Sequence, residues 1–282
     1  MNAALERLLL LKGREQLPQV LIAAAECAPL SKTGGLADVV GALPKALAAL
    51  GFDARVITPY HRCIKEKYAG AVRHLCYFYV DLGWRHQYVG LEELDLPDLT
   101  VYLIDSEFYF GDRIYRGGAA EVEQYAYFQR AVLEAIPRLP DFRPEVLHCN
   151  DWHTAMLPFL LRTQPQGEPC AALRTVLTIH NLAFQGWAGL AETADLLGVE
   201  PRWLSYDGVK HGDVANFLKA GCLFADRVNT VSPSYAEEIR TPEFGAVQGA
   251  HIPAGSLWRP CSSPVPGHRA RCSRCRSCCS RS

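Results

Sequence analysis

A chain of 282 residues with 49% hydrophobic content holds enough apolar material for one large domain or two small ones. Its formal charge of -1 hides a division: residues 1–245 carry all 30 acidic and 23 of the 29 basic side chains, a net -7, while the last 37 residues carry six arginines and no acid. That acidic balance argues against nucleic-acid binding, which needs basic patches, and the leucine run at 8–11 is too short to span a membrane and lacks a secretory cleavage site.

Residues 1–17 read as a leader segment, an exposed or loosely docked helix. A strand is predicted over 20–24, then the loop ECAPLSKTGGLAD at 26–38, a helix over 36–50 and a second strand over 54–58 that Pro59 closes. This strand, helix, strand opening predicts an α/β fold, a mostly parallel sheet with helices on both faces. Apolar runs at 75–80, 85–91 and 100–104, separated by turn residues, read as hairpin-like strands near one sheet edge. A helix follows over 121–136, then a strand over 146–149 leading into Asp151, Trp152 and His153 and a helix through 161. The strand over 175–179 delivers His180 and Asn181 at its carboxyl end. Residues 186–210 have no clear assignment, 213–225 reads as a helix, and 227–231 as a further strand. Ser232 and Pro233, an N-cap followed by a first-turn proline, open a last helix to 239.

Six cysteines scattered through residues 1–245 read as buried thiols in a reducing compartment, so a cytoplasmic body is expected. Residues 246–282 lack apolar periodicity and do not read as a second α/β domain. Cys272, Cys275, Cys278 and Cys279, with Cys261 and His268 upstream, have spacings that zinc or an iron-sulfur cluster uses. No turn or apolar core separates them, so this Arg/Cys-rich tail reads as disordered or out of frame rather than as a metal module. The body shows no metal-ligating cluster.

Ligands of open α/β sheets bind beyond the carboxyl ends of the strands, so the KTGG loop, the DWH segment and the HN pair are expected to share one cleft. In the first, Gly34 and Gly35 allow backbone to approach a ligand, the helix start favours an anion, and Lys32 is a cation within reach of phosphate. The lysine precedes the glycines, so this is not a P-loop. A solvated lysine beside an ordinary turn fits the local string equally well. Glu26 lies beside the same loop, exposed to the cleft. Asp151 is either the N-cap of its helix or a cleft carboxylate, with His153 able to orient it. His180 is either a core hydrogen-bonding group or a ligand contact.

The string LIAAAECAPLSKTGGLADVV (21–40), with HCNDWHTAMLPFLL (148–161), TVLTIHNLAFQG (175–186), LKAGCLFADRVNTVSPSYAEEI (218–239) and TPEFG (241–245), resembles the bacterial and plant glycogen/starch synthases in order and spacing across 18–245. The resemblance implies the Rossmann-like amino-terminal half of a GT-B enzyme. Such an enzyme transfers glucose from ADP-glucose to the non-reducing end of an α-1,4-glucan with retention, and needs no cofactor. It ties Lys32, Gly34 and Gly35 to ADP-glucose, makes His180 a hydrogen-bonding partner of the donor glucose rather than a general base, and gives Asn181 and Asp151 positioning or electrostatic roles. Trp152 then supports a sugar face or fills core, and Tyr115, in the loop YFGDRIYRGG at 109–118, lines a glucan path or packs a surface loop. The family's carboxyl-terminal domain has no match in these 282 residues. Little or no activity alone, with self-association through the inter-domain surface, is therefore expected. The alternative is a non-catalytic glucan-binding or interaction module.

Overall fold

The computed structural model describes residues 17–241. Residues 1–16 of the 1–17 leader, and the Cys-rich tail, lie outside the described residues. Eight strands form one sheet in the order β11-β7-β6-β1-β2-β5-β4-β3. They are β1 (Gln19–Ala23), β2 (Asp53–Pro59), β3 (Arg73–Leu82), β4 (Arg85–Leu96), β5 (Leu99–Asp105), β6 (Val146–Asn150), β7 (Arg174–Ile179) and β11 (Arg227–Thr230). Six run parallel, with Ile22 of β1 registered on Val56 of β2 and His148 of β6, while β4 and β3 add an antiparallel edge. This is the mostly parallel, helix-covered sheet of a Rossmann-like domain.

Alternate residues of each strand face opposite layers, which explains why both faces are apolar. Leu21, Ala23, Ile57 and Tyr102 point to one side, where α4 (Gly118–Ala135), α5 (Trp152–Thr163) and α7 (Phe217–Phe224) close the larger core. Val20, Ile22, Val56 and Leu103 point to the other, under α1 (Gly35–Ala48) and α2 (Arg62–Tyr68). The helices α3 (Glu107–Phe110), α6 (Leu190–Leu197) and α8 (Pro233–Glu238) complete the set. Close helix contact is possible at Gly221 of α7, where a Cβ would lie 2.6 Å from the Ala155 carbonyl oxygen of α5.

The expected helix over 213–225 is corrected. Val214–Asn216 is β10, paired antiparallel with β8 (Trp187–Gly189) and β9 (Lys210–His211) in a separate three-stranded sheet. The helix starts only at Phe217, because the Asn216 side chain accepts from the Lys219 backbone N–H at 2.8 Å and caps it there. The unassigned 186–210 stretch supplies β8, α6 and the start of β9. Gly186 makes this arrangement possible: its φ is 67°, and a Cβ there would sit 2.4 Å from the Trp152 ring. At the last helix the Ser232 hydroxyl accepts from Tyr235 N–H at 3.1 Å, as its sequence position implies.

Among the described residues no helix is long and apolar enough to cross a membrane. The six cysteines are free thiols. Cys27, Cys149, Cys170 and Cys222 are buried, Cys76 is half-buried, and Cys63 is exposed, contrary to the expectation of uniform burial.

Candidate active site

A cavity of about 650 Å³ opens at the carboxyl ends of β1, β6 and β7. Glu26 follows β1, Asp151, Trp152 and His153 follow β6, and His180 and Asn181 follow β7. Thr33, Gly34, Gly35 and Leu36 bring the loop and first turn of α1 to the same space, and Tyr115 with Glu121 closes the side nearest α4. The KTGG, DWH and HN segments therefore converge as the parallel topology requires, and all the candidate residues except Lys32 line the cavity.

Asp151 anchors the arrangement. Its backbone sits at φ 56°, ψ -175°, a region that residues with a Cβ rarely adopt and that costs of order 1–3 kcal/mol. This turn swings the side chain away from its own helix. The carboxylate makes no N-cap bond to α5; its Oδ1 accepts from the backbone N–H groups of His180 at 2.7 Å and Asn181 at 3.2 Å. Asp151 thus ties the end of β6 to the end of β7, and the capping alternative is set aside. Burial pushes its pKa up to about 7 from 3.8; the two backbone donors act against that, and Glu26 adds to it.

His180 is fixed through Asn150. The Asn150 amide nitrogen donates to the Ala23 carbonyl oxygen at 3.1 Å, which leaves its Oδ1 to accept from His180 Nε2 at 2.9 Å. The imidazole therefore carries its proton on Nε2 and offers Nδ1 as an acceptor. Burial lowers its pKa to about 4 from 6.5, so the ring is neutral near pH 7. That suits accepting a hydrogen bond from a hydroxyl at Nδ1.

Glu26 lines the cavity with only 2% of its surface exposed. Its Oε2 accepts from Thr33 N–H at 2.5 Å and so sets the path of the glycine loop. Neither Gly34 nor Gly35 has a positive φ, a Cβ on Gly34 would meet only Glu26 Oε1 at 3.9 Å, and one on Gly35 would meet nothing within 4 Å. The protein's own packing does not demand glycine at either position; the bare backbone faces open space at a helix start. Lys32 lies outside the cavity wall, half-exposed, with Nζ 2.8 Å from Asp38 Oδ1. An exposed pair of this kind is worth about 0–1 kcal/mol, little enough for an anion to displace.

His153 does not orient Asp151. Its Nε2 faces Glu121 Oε1 at 3.7 Å, and its buried Nδ1 has no partner. Burial lowers the His153 pKa. Burial alone would raise that of Glu121, but His153 and the Gly117 backbone N–H, at 2.7 Å, hold it below its usual value. Trp152 is 4% exposed, wedged against Gly186 and Phe217, so most of its ring fills core. Half-buried Tyr115 packs its ring 5.0 Å from His153.

Sequence reasoning missed Glu121, Thr33 and Phe184 as cavity residues. Gly117 and Gly118, at φ 79° and 58°, gave the available signal for Glu121, since they turn the chain into α4 just ahead of it. Three carboxylates, neutral imidazoles and hydroxyls make up the polar wall, and none of the lining residues is Lys or Arg. Among the described residues no group of three or more His, Cys, Asp or Glu is placed to hold a metal ion.

The family model described as the starch synthase catalytic domain matches residues 19–252. The chain belongs to the glycogen/starch synthase family. Within that family it is 45% identical over 228 residues to the glycogen synthase of Streptococcus agalactiae serotype Ia, covering 80% of this chain and 48% of that protein. Identity to the glycogen synthase of Streptococcus sanguinis is 47% over 228 residues, with the same coverage of both. Among solved structures, the catalytic domain of Starch Synthase IV from Arabidopsis thaliana, bound to ADP and acarbose, superposes with a TM-score of 0.71 at 31% identity, over 84% of this chain and 49% of that one. This synthase-family chain spans about half the length of the curated relatives it matches.

Proposed function

We propose that this chain supplies the amino-terminal wall of a retaining glucosyltransferase that passes glucose from ADP-glucose to the non-reducing end of an α-1,4-glucan. The observation that carries the reading is a carboxylate-lined cavity without a cation, set beside a bare glycine backbone at a helix start. Glycosyl transfer develops positive charge on the sugar ring and negative charge on the departing diphosphate. Asp151 and Glu26 favour the first by position and sign. The Gly34 and Gly35 amides and the α1 N-terminus suit the second, with Lys32 leaving Asp38 to join the diphosphate. His180 Nδ1 accepts a donor-sugar hydroxyl, and Asn181 and Tyr115 position the sugar and its acceptor. The ADP and acarbose of the Arabidopsis structure fit the same pair of ligand classes. No cofactor is needed in this scheme.

A wall this rich in carboxylates holds a neutral polyol more tightly than a diphosphate, whose full charge needs further cations. Glucan binding without turnover is the second reading, and the same observation favours it for the chain alone. Val39, Phe184 and Val231, 38%, 61% and 51% exposed at the cavity, form the surface through which the chain self-associates. The free thiols support a cytoplasmic location. Incorporation of labelled glucose from ADP-glucose into glycogen, by the chain and by Lys32→Ala, tests the transferase. Turnover that the substitution abolishes supports it, glycogen binding without turnover supports the second reading, and neither turnover nor binding refutes both.

A further inference from the structure

The β3–β4 hairpin extends beyond the rest of the sheet. Gly90 of β4 is registered on Asp105, the last residue of β5, so residues 85–89 and their β3 partners at 78–82 run past the carboxyl edge where the cavity opens. One face of this projection is core: Phe78, Val80, Leu82 and Val89 are buried. The other carries rings in the open. Tyr77, Tyr79 and Tyr88 are 63%, 49% and 44% exposed, and Trp84 at the tip is 82% exposed. Tyr77 stacks toward Tyr88 at 6.1 Å and Tyr79 lies flat on His86 at 4.7 Å, while Tyr79 meets Tyr77 and Tyr88 edge to face, giving a mixed row of ring faces and edges. The apolar cluster under α1 and α2 includes none of these rings.

We propose that this row of rings is a second binding surface, distinct from the cavity, for the neutral α-glucan chain. It rests on the glucan reading above and deepens it. Ring faces stack on the apolar faces of pyranose rings, and the phenol hydroxyls border them with donors and acceptors for sugar hydroxyls. Electrostatics disfavour a polyanion: Arg73 pairs with Glu93, and Arg85 with Glu123 and Asp195, so neither arginine of the strand pair is free. The rings sit on a hairpin that projects past the strand edge where the cavity opens. A long glucan held here has its ends kept near the reacting edge, raising their effective concentration.

The test is affinity electrophoresis of the 282-residue chain in gels containing glycogen, comparing Tyr79→Ala/Tyr88→Ala with Tyr79→Trp and with Asp151→Asn, and following oligomeric state by light scattering. The double variant is expected to lose about tenfold in glycogen affinity, with Tyr79→Trp retaining it. Both ring positions are exposed and contribute one cross-strand pair, so the unfolding midpoint should change little. Glycogen retardation unchanged in the double variant but lost in Asp151→Asn would overturn the hairpin site and leave the cavity reading intact. A parent dimer that the ring substitutions turn into monomers, with glycogen retardation unaltered, would assign the face to a second copy of the chain and also overturn it. Retardation lost in the double variant and kept in Asp151→Asn would establish the hairpin site while counting against glucan in the cavity.

Discussion

Replacing Asp151 by Asn should stabilise the fold at neutral pH while impairing the site. The carboxyl group titrates near pH 7 in the folded chain against 3.8 in the unfolded one, so the native state keeps a proton that the unfolded chain has released. A raised carboxyl pKa contributes stability below pH 4 and loses it as pH rises from 3.8 to about 7. A displacement of about three units at 1.36 kcal/mol each amounts to about 4 kcal/mol. Asparagine presents the same Oδ1 to the His180 and Asn181 N–H groups and never ionises. Urea unfolding of both proteins across pH 4–8 should therefore show the variant gaining on the parent by about 4 kcal/mol over that range. Other titrating groups are common to both and cancel. Parallel stability profiles would refute the argument, because they would mean that cavity water solvates the carboxylate as well as bulk water does.

Gly35→Ala should leave stability unchanged or raise it by up to about 1 kcal/mol, since its Cβ meets nothing within 4 Å, yet weaken ADP binding by about tenfold in calorimetry. Gly41→Ala is the control inside the same helix: its Cβ would fall 2.2 Å from the Ala28 carbonyl oxygen, so a loss of about 1–3 kcal/mol or more is expected on thermal unfolding. His61, 1% exposed, has its pKa lowered by burial to about 4 from 6.5. Its contribution is present above pH 6.5 and lost as pH falls toward 4, so His61→Gln, which can still donate to the Ala25 carbonyl oxygen, should flatten the acid limb of the stability profile by about 3 kcal/mol. His180→Ala should strand Asn150 Oδ1 at a cost of about 1–3 kcal/mol and abolish glucose transfer, both measurable on one preparation.

The alternation of strands and helices was legible because each apolar run is bounded by residues that cannot continue it: Pro59 closes β2, and Gly83 turns β3 into β4. The convergence of Glu26, Asp151 and His180 followed from topology alone, since parallel strands deliver their carboxyl ends to one edge. What sequence could not reveal depended on single torsions and distant partners. The Asp151 side chain leaves its helix because φ is 56°, and Asp is equally common as an ordinary cap. The His153–Glu121 contact joins residues 32 positions apart, and neither neighbourhood announces the other. The strand at Val214–Asn216 is too short to carry a period, and its apolar neighbours continue smoothly into α7.

Asn150 has a consequence for how this site can respond to a ligand. Its amide reaches β1 through Ala23 and β7 through His180 while its own backbone belongs to β6, so three strands are stitched together directly beneath the cavity. The floor is therefore stiff, and the imidazole standing on it keeps one orientation whether the cavity is empty or full. Any accommodation falls to the rim, to the 26–38 and 109–118 loops, where Lys32 and Arg113 are long, exposed side chains. Amide exchange should divide along that boundary: slow and ligand-blind below, fast and ligand-responsive above.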